Sequence, residues 1–126
     1  MSLGIEAHSY TIISSTDSYL RLFDQVGLPN VGANMDVRWP FLQREYVPLS
    51  IHKLGGRLLH THVRDGDGLY NYNMPVGMGI IDWRAVVEAL KDIAYDGFLS
   101  LELSNYQDPI QYLEFSRDYL QSVLAE

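Results

Sequence analysis

The sequence has no cysteine and no long apolar run, and each of these absences excludes a class of protein. Without cysteine, the 126-residue chain can form neither a disulfide framework nor a thiolate metal site. No stretch of it approaches the roughly 18 consecutive apolar residues that identify a membrane span. We therefore expect a protein that does not interact with membranes, and a cytoplasmic location fits this composition best.

Basic residues are few and scattered. The chain has 9 Lys and Arg against 16 Asp and Glu, which gives a formal net charge of −7. The seven arginines are spread along the chain at Arg21, Arg38, Arg44, Arg57, Arg64, Arg84 and Arg117. Proteins that grip nucleic acid usually carry a basic stripe that neutralises phosphates. The charge pattern therefore argues against nucleic acid as a partner.

The length and composition are those of one small globular domain. With 47% hydrophobic residues, the chain can bury a core, although a modest one. We expect a single domain over residues 1–126. Residues 1–3 show neither the basic nor the apolar region of a signal peptide, and we interpret them as a short leader added ahead of the domain.

Apolar runs rich in β-branched residues alternate four times with segments of helical spacing, which is the pattern of a βα repeat. The predicted strands span about 3–9, 31–36, 57–63 and 98–103. Helices are predicted over about 16–27, 48–55, 82–93 and 108–124, with Thr16, Asp82 and Asp108 as N-caps. The segment between the second strand and its helix is predicted to be a loop. The sequence thus predicts an α/β fold with a four-stranded parallel sheet.

Each predicted strand ends near a side chain that can bind a metal: Glu6, Asp36, His62 and Glu102. The carboxyl ends of parallel strands meet at one rim of the sheet, so three carboxylates and an imidazole can surround one divalent cation there. Taken singly, Glu6 and Glu102 can also be solvated side chains at strand ends. Taken together, the four residues predict a metal site.

Alternation along the strands sorts their side chains into an apolar and a polar face. In the third strand it places Leu59 and Val63 under the helices, and Leu58, His60 and His62 on the polar face. Polar groups buried without partners cost several kcal/mol each, so this face must be solvated, hydrogen-bonded or bound to a cation. His60 lies deeper than His62, and we expect a hydrogen-bonded histidine there rather than a ligand.

Five short motifs follow one another along the chain. They are Ile5-Glu6-Ala7-His8, then Pro29-Asn30-Val31-Gly32 with Met35-Asp36, His60-Thr61-His62-Val63-Arg64-Asp65, Pro75-Val76-Gly77-Met78-Gly79 with Ile81-Asp82-Trp83, and Tyr95-Asp96-Gly97 before Leu101-Glu102. In this order and spacing they resemble the carboxyl-terminal half of a xylose isomerase-like TIM barrel, the superfamily of sugar-phosphate isomerases and epimerases. The resemblance covers nearly everything after residue 3. It implies four βα units that form half of a (β/α)8 barrel.

The resemblance also implies an activity, namely that of a divalent-metal-dependent sugar or sugar-phosphate isomerase or epimerase. In that family the last four strands supply Glu, Asp, His and Glu to the metal, which implies Glu6, Asp36, His62 and Glu102 as ligands here. The two glutamates would also serve as the acid and base that move a proton through an enediolate of the substrate. Mn²⁺, Mg²⁺, Co²⁺ or Zn²⁺ suits such a ligand set.

Residues beside the implied ligands are candidates for substrate contacts. We expect His8 either to orient the sugar or to lie at the rim. Trp39 stands where family epimerases carry a substrate-binding histidine, and it can stack on the sugar or close the barrel mouth. Arg64 and Asp65 either pair with one another, touch substrate or lie in a solvated loop. Family epimerases also tend to carry an arginine where this chain has Gly68.

Four βα units are half the number of a closed barrel, which typically needs about 250 residues. Two bare sheet edges and an open interior favour association, so we expect a homodimer or higher oligomer that completes the barrel, with two-fold symmetry. One alternative is a non-catalytic, truncated half-barrel that keeps the fold and can keep the metal. A third, less favoured function is that of an apurinic-site endonuclease-like hydrolase, for which more histidine ligands and a basic face are expected.

Overall fold

A computed structural model describes residues 1–70 and 73–126 and contains four βα units. Its strands are β1 (Leu3–Glu6), β2 (Val31–Asp36), β3 (Leu58–Val63) and β4 (Leu99–Leu101). Its helices are α1 (Thr16–Val26), α2 (Arg38–Leu42), α3 (Val47–Leu54), α4 (Trp83–Asp92) and α5 (Pro109–Leu124). Within the described residues, no helix combines the length and the apolar character needed to cross a membrane.

The four strands form one parallel sheet in the order β1-β2-β3-β4. Sequential parallel strands joined by helices are the arrangement of half a (β/α)8 barrel, and the predicted α/β class is confirmed. In the described parts of the chain, no strand pairs with the outer edge of β1 or of β4. The sheet therefore ends in two open edges.

The start of α1 differs in detail from the prediction. Ser15, not Thr16, is the N-cap, and it forms a capping box in which the Ser18 hydroxyl accepts a hydrogen bond of 2.9 Å from the Ser15 N–H. Thr16 instead donates its backbone N–H to the carboxylate of Glu45, at 3.1 Å. A carboxylate at this position also interacts favourably with the positive end of the helix dipole.

The other predicted caps have mixed outcomes. Asp82 caps α4 as predicted, because its Oδ1 accepts a hydrogen bond of 3.1 Å from the backbone of Ala85. Asp108 occupies the N-cap position of α5, with Pro109 in the first turn, but its side chain makes no capping hydrogen bond. The fixed φ of Pro109 suits the first turn of a helix without that bond.

The short helix α2 lies in a segment that was predicted to be a loop. The carboxylate of Asp36 accepts a hydrogen bond of 3.0 Å from the backbone N–H of Arg38, at the first position of α2. Pro40 follows within the first turn, where proline is tolerated. The side chain that ends β2 therefore also fixes the direction in which the chain leaves the sheet.

The hydrophobic core lies between one face of the sheet and the helices. Its fully buried members include Ala33, Met35 and Val63 from the strands, and Ile51 and Trp83 from the helices. The opposite face of the sheet has no such cover within the described residues. The side chain of Glu6, for example, remains 37% exposed. The polar face predicted from alternation is thus the open inner face of a half-barrel.

An irregularity between β2 and β3 corrects one part of the predicted alternation. Ala33 pairs with Leu58 and Asn34 pairs with His60, so Leu59 is an extra residue in the ladder. Leu58, expected on the polar face, is only 5% exposed and belongs to the core. The side chain of Leu59, expected under the helices, lies against Gly32, where an added Cβ would approach its Cγ to 2.6 Å.

Candidate metal centre

Three of the four predicted ligands converge at the carboxyl edge of the sheet. Glu6 ends β1, His62 lies in β3, and Glu102 follows β4 directly. One potential ligand atom from each lies within 4.8 Å of the others. The Nδ1 atom of His62 is 3.0 Å from Oε2 of Glu102 and 3.8 Å from Oε2 of Glu6. We refer to these three residues as the Glu-His-Glu cluster.

The Nδ1 atom of His62 is a buried polar atom of the cluster whose hydrogen-bonding capacity is not satisfied by the residues that the structure describes. It is buried, and among the described residues it has no hydrogen-bond partner, because its short approach to Glu102 lacks hydrogen-bond geometry. A buried polar atom without a partner costs about 1–3 kcal/mol. A divalent cation would pair with the nitrogen lone pair and with both carboxylates, and imidazole with carboxylates suits Mn²⁺, Co²⁺ and Zn²⁺. The residues present therefore fit such an ion.

Asp36, the fourth predicted ligand, lies outside the Glu-His-Glu cluster. Its side chain is wholly buried, and its Oδ2 accepts hydrogen bonds of 3.0 and 2.6 Å from the guanidinium of Arg64. The guanidinium of Arg38 approaches the same oxygen to 3.3 Å. The role of Asp36 as a fourth ligand stays a prediction.

Arg64 takes a position that the sequence did not indicate. Its side chain is 3% exposed, and one atom, Nη2, lies 2.6 Å from Asp36 Oδ2 and 2.8 Å from Glu102 Oε2. Its Nη1 also donates to the side-chain oxygen of Asn73, at 3.4 Å. The guanidinium therefore bridges two of the predicted ligands, and in this position it faces protein groups rather than solvent.

The rings of His8 and Trp39 are in contact. Their ring centroids are 3.9 Å apart, and the guanidinium carbon of Arg38 lies 4.0 Å from the Trp39 ring on which it packs. Trp39 is only 5% exposed, so little of its surface is available for stacking on a sugar. The structure thus brings two predicted substrate-binding residues together, and their contact with substrate stays a prediction.

Tyr19, which sequence reasoning did not single out, holds the end of β1 in place. Its hydroxyl donates to the backbone oxygen of Asn34 at 2.9 Å and accepts a hydrogen bond from the backbone N–H of Ala7. Burial raises the pKa of Tyr19, so the hydroxyl keeps its proton and remains a donor. Because Ala7 follows Glu6 directly, this contact fixes one side of the cluster.

Asp65 was expected in a solvated loop, and this was wrong. It is 1% exposed, and its carboxylate accepts four hydrogen bonds. The backbone N–H groups of Gly66, Gly77 and Ile81 donate at 2.8, 3.0 and 3.1 Å, and the indole N–H of Trp83 donates at 2.8 Å. Asp65 is therefore the centre around which the loop between β3 and α4 folds, and it makes no contact with Arg64 that would pair the two.

Two glycines of this loop, Gly77 and Gly79, are required for different reasons. Gly77 has a φ of +90°, a left-handed backbone conformation that glycine adopts without steric cost. Gly79 has no positive φ. It is needed for a different reason, since an added Cβ would overlap the carboxylate of Asp65. In this sequence, an aspartate followed by several glycines is thus the pattern that marks a buried carboxylate bound by backbone N–H groups.

His60 behaves as the sequence predicted. Its Nε2 lies 2.9 Å from the hydroxyl of Ser100 on β4, a hydrogen-bonding distance. Its ring meets that of His62 edge to face, with centroids 5.4 Å apart. His60 is therefore a hydrogen-bonded neighbour of the cluster and not one of its three members.

Two curated proteins that this chain resembles are longer than it. An uncharacterized protein of Methanocaldococcus jannaschii is 28% identical over 110 residues, which make up 85% of this chain and 37% of that protein. A fructoselysine 3-epimerase of Escherichia coli O157:H7 is 25% identical over 117 residues, or 91% of this chain and 42% of that protein. The chain thus spans about two fifths of the length of these relatives.

The fold and the family are shown by two further comparisons. The structure of an L-ribulose 3-epimerase superposes with a TM-score of 0.87 at 18% identity, covering 99% of this chain and 48% of that one. This likeness confirms that the four βα units are half of a (β/α)8 barrel. Residues 1–123 match the family described as Xylose isomerase-like TIM barrel. The chain therefore belongs to the xylose isomerase-like TIM barrel family.

Proposed function

We propose that this chain is the metal-binding half of a sugar or sugar-phosphate isomerase or epimerase that depends on a divalent cation. The observation that carries the proposal is the Glu-His-Glu cluster, in which three ligand atoms lie within 4.8 Å of one another and His62 Nδ1 has no hydrogen-bond partner among the described residues. The similarity to a fructoselysine 3-epimerase, a protein named for a reaction on a sugar derivative, supports the same class of activity.

The chemistry requires a cation and two proton carriers. A divalent cation held by Glu6, His62 and Glu102, with Asp36 as the predicted fourth ligand, would polarise a substrate carbonyl and stabilise negative charge on its oxygen. Mn²⁺, Mg²⁺, Co²⁺ and Zn²⁺ are the candidates. The ligands also include the two groups that we propose as acid and base.

Glu6 and Glu102 are suited to proton transfer by position and by access. They lie at the ends of the two edge strands, and their side chains are 37% and 44% exposed, so both can reach a bound molecule. One carboxylate would remove the proton beside the carbonyl, leaving an enediolate of the substrate, and the other would return a proton from the opposite side. Such a pair of carboxylates either inverts the configuration of the sugar carbon beside the carbonyl or moves the carbonyl to the neighbouring carbon of the sugar.

Proton exchange at the substrate carbon tests this proposal. Ketohexoses, with and without a phosphate group, are incubated with the chain and Mn²⁺ in D₂O, and deuterium incorporation beside the carbonyl is followed by NMR. We expect exchange with the natural chain and at least about 100-fold slower exchange with Glu102→Gln, which removes a proton carrier. Glu114→Gln, on the exposed side of α5, is the matched control. Equal rates in both variants would contradict the assignment.

One observation favours a second function, that of a non-catalytic half-barrel. The chain covers 48% of the ribulose epimerase structure, and in the described residues nothing covers the inner face of its sheet. A half-barrel of this kind would bind the cation without holding a substrate. Tight Mn²⁺ binding together with no exchange on any ketohexose would favour this function over the first.

We also propose that two copies of the chain close into one eight-stranded barrel. The unpaired edges of β1 and β4 would meet the β4 and β1 edges of the second copy, which keeps all eight strands parallel. Leu3 and Phe98, next to these edges, are 58% and 80% exposed in the single chain. Exposed apolar side chains beside open strands favour such an association.

The mass in solution tests this pairing. We expect sedimentation equilibrium to give twice the chain mass of 14.4 kDa at micromolar concentration. Phe98→Asp should shift the equilibrium to monomer, because it places a charge where the β4 edge of one copy meets the β1 edge of the other. Tyr46→Asp, a matched change at an exposed residue of the outer helical layer, should leave the dimer intact. A monodisperse monomer of the natural chain would contradict the pairing.

A further inference from the structure

The guanidinium of Arg64 is a buried positive charge in direct contact with the candidate metal centre. Through one nitrogen it contacts Asp36 at 2.6 Å and Glu102 at 2.8 Å. Its side chain is 3% exposed and that of Asp36 is wholly buried, so solvent screens the contact with Asp36 little, whereas the side chain of Glu102 is 44% exposed. Arg64 is therefore part of the electrostatic environment of the cluster.

The acids around the cluster need a counter-charge when no cation is bound. Glu6 and Glu102 lie on either side of His62, and the carboxylate of Asp36 is completely buried. Carboxylates this close repel one another unless a positive charge offsets them, and a buried carboxylate without a partner is strongly destabilising. Arg64 supplies that charge to two of the three acids from within the chain.

The contacts of one oxygen atom of Glu102 indicate that the Arg64 guanidinium and a bound cation would compete. Oε2 of Glu102 lies 2.8 Å from Nη2 of Arg64 and 3.0 Å from Nδ1 of His62. A divalent cation held between Glu102 and His62 would therefore lie close to the guanidinium. Two positive charges a few ångström apart in a partly buried site repel strongly.

We propose that the Arg64 guanidinium and the divalent cation are alternative counter-ions for one acid cluster, so that Arg64 stabilises the cation-free chain and weakens cation binding. This inference rests on the proposed cation site. It gives Arg64 a role different from the substrate contact expected from the sequence. It also makes Arg64 a residue that sets the affinity of the site for cations without touching the substrate.

The affinity for Mn²⁺, measured by the electron paramagnetic resonance signal of the free ion, tests the competition. We expect Arg64→Gln to bind Mn²⁺ about tenfold or more tightly than the natural chain, because the repulsion is removed while a hydrogen-bond donor to Asp36 remains. Arg64→Lys retains the charge and should stay within about threefold of the natural affinity, although one ammonium cannot replace both guanidinium bonds to Asp36. Arg84→Gln loses the same charge at an exposed pair with Glu126 and should leave the affinity unchanged.

Stability provides a second readout that does not depend on activity. In EDTA, Arg64→Gln should unfold at a lower urea concentration than the natural chain, because Glu102 loses its guanidinium partner and Asp36 keeps only the more distant guanidinium of Arg38, at 3.3 Å. Saturating Mn²⁺ should bring the two unfolding midpoints in urea closer together. A ligand stabilises the folded state that it binds by an amount set by its affinity, and we expect the affinity to be higher in the variant. If Arg64→Gln is unfolded in EDTA, folding on addition of Mn²⁺ supports the proposal, and failure to fold at saturating Mn²⁺ overturns it.

The outcomes separate this inference from the proposed function. Equal or weaker Mn²⁺ binding by folded Arg64→Gln, with tight binding by the natural chain, would overturn the competition and leave the cation site standing. No Mn²⁺ binding by either protein would overturn both. An Arg64→Lys variant that binds as tightly as Arg64→Gln would also overturn the inference, because the charge would then not be the cause.

Discussion

Replacing Glu6 by Gln, or His62 by Ala, is expected to lower the affinity for Mn²⁺ by at least about 100-fold, which exceeds the effect usual for residues that only orient a ligand. Glu6→Gln keeps the shape of the side chain but removes one negative charge from the cluster. His62→Ala removes the only nitrogen among the three ligands and the atom that has no hydrogen-bond partner within the described residues. Calorimetric titration with Mn²⁺ measures both affinities.

The control for Glu6→Gln is Glu88→Gln, on the exposed side of α4, which changes the net charge by the same amount. Circular dichroism shows whether each variant retains the fold. Because Glu6 and His62 lie on the open inner face rather than in the core, we expect both variants to remain folded. Mn²⁺ affinity that is unchanged in both folded variants would defeat the assignment of the cluster.

Replacing Asp65 by Asn is expected to destabilise the chain by about 3–5 kcal/mol, since each hydrogen bond to a buried charged group is worth about 1.5–3 kcal/mol. The carboxylate accepts four N–H donors, from Gly66, Gly77, Ile81 and Trp83. An amide offers one oxygen in place of two, and its NH₂ group would face donors. The free energy of unfolding from urea titration measures the loss.

Asp24→Asn on the exposed side of α1 is the matched control, and its effect on the free energy of unfolding should stay within about 0.5 kcal/mol. The loop between β3 and α4 should also become more accessible to protease in Asp65→Asn, because its backbone donors lose their common acceptor. A destabilisation below about 1 kcal/mol would show that Asp65 does not organise the loop.

The features that the sequence predicted well are those set by local pattern. β2 was predicted at its observed bounds, and β3 and β4 were predicted to within one and two residues, whereas β1 ends at Glu6, three residues before its predicted end. The strand-end positions of Glu6, His62 and Glu102 followed from the strands, because parallel strands deliver their carboxyl ends to one rim. The polar inner face followed from alternation.

The features that the sequence did not predict depend on contacts between distant residues. Leu58 and Leu59 exchange faces because of an irregular pairing with β2, which no property of β3 alone reveals. Asp65 is buried because donors as far along the chain as Trp83 fold back onto it. Arg64 follows the predicted ligand His62 by two residues, and only the fold shows that Asp36 and Glu102 lie beside its guanidinium.

Anomalous diffraction at the manganese edge, from crystals grown with Mn²⁺, would locate the ion that we propose Glu6, His62 and Glu102 hold together. We expect one strong anomalous peak in direct contact with the Oε atoms of both glutamates and with His62 Nδ1. A map without a peak there, or with manganese bound only elsewhere on the acidic surface, would contradict it.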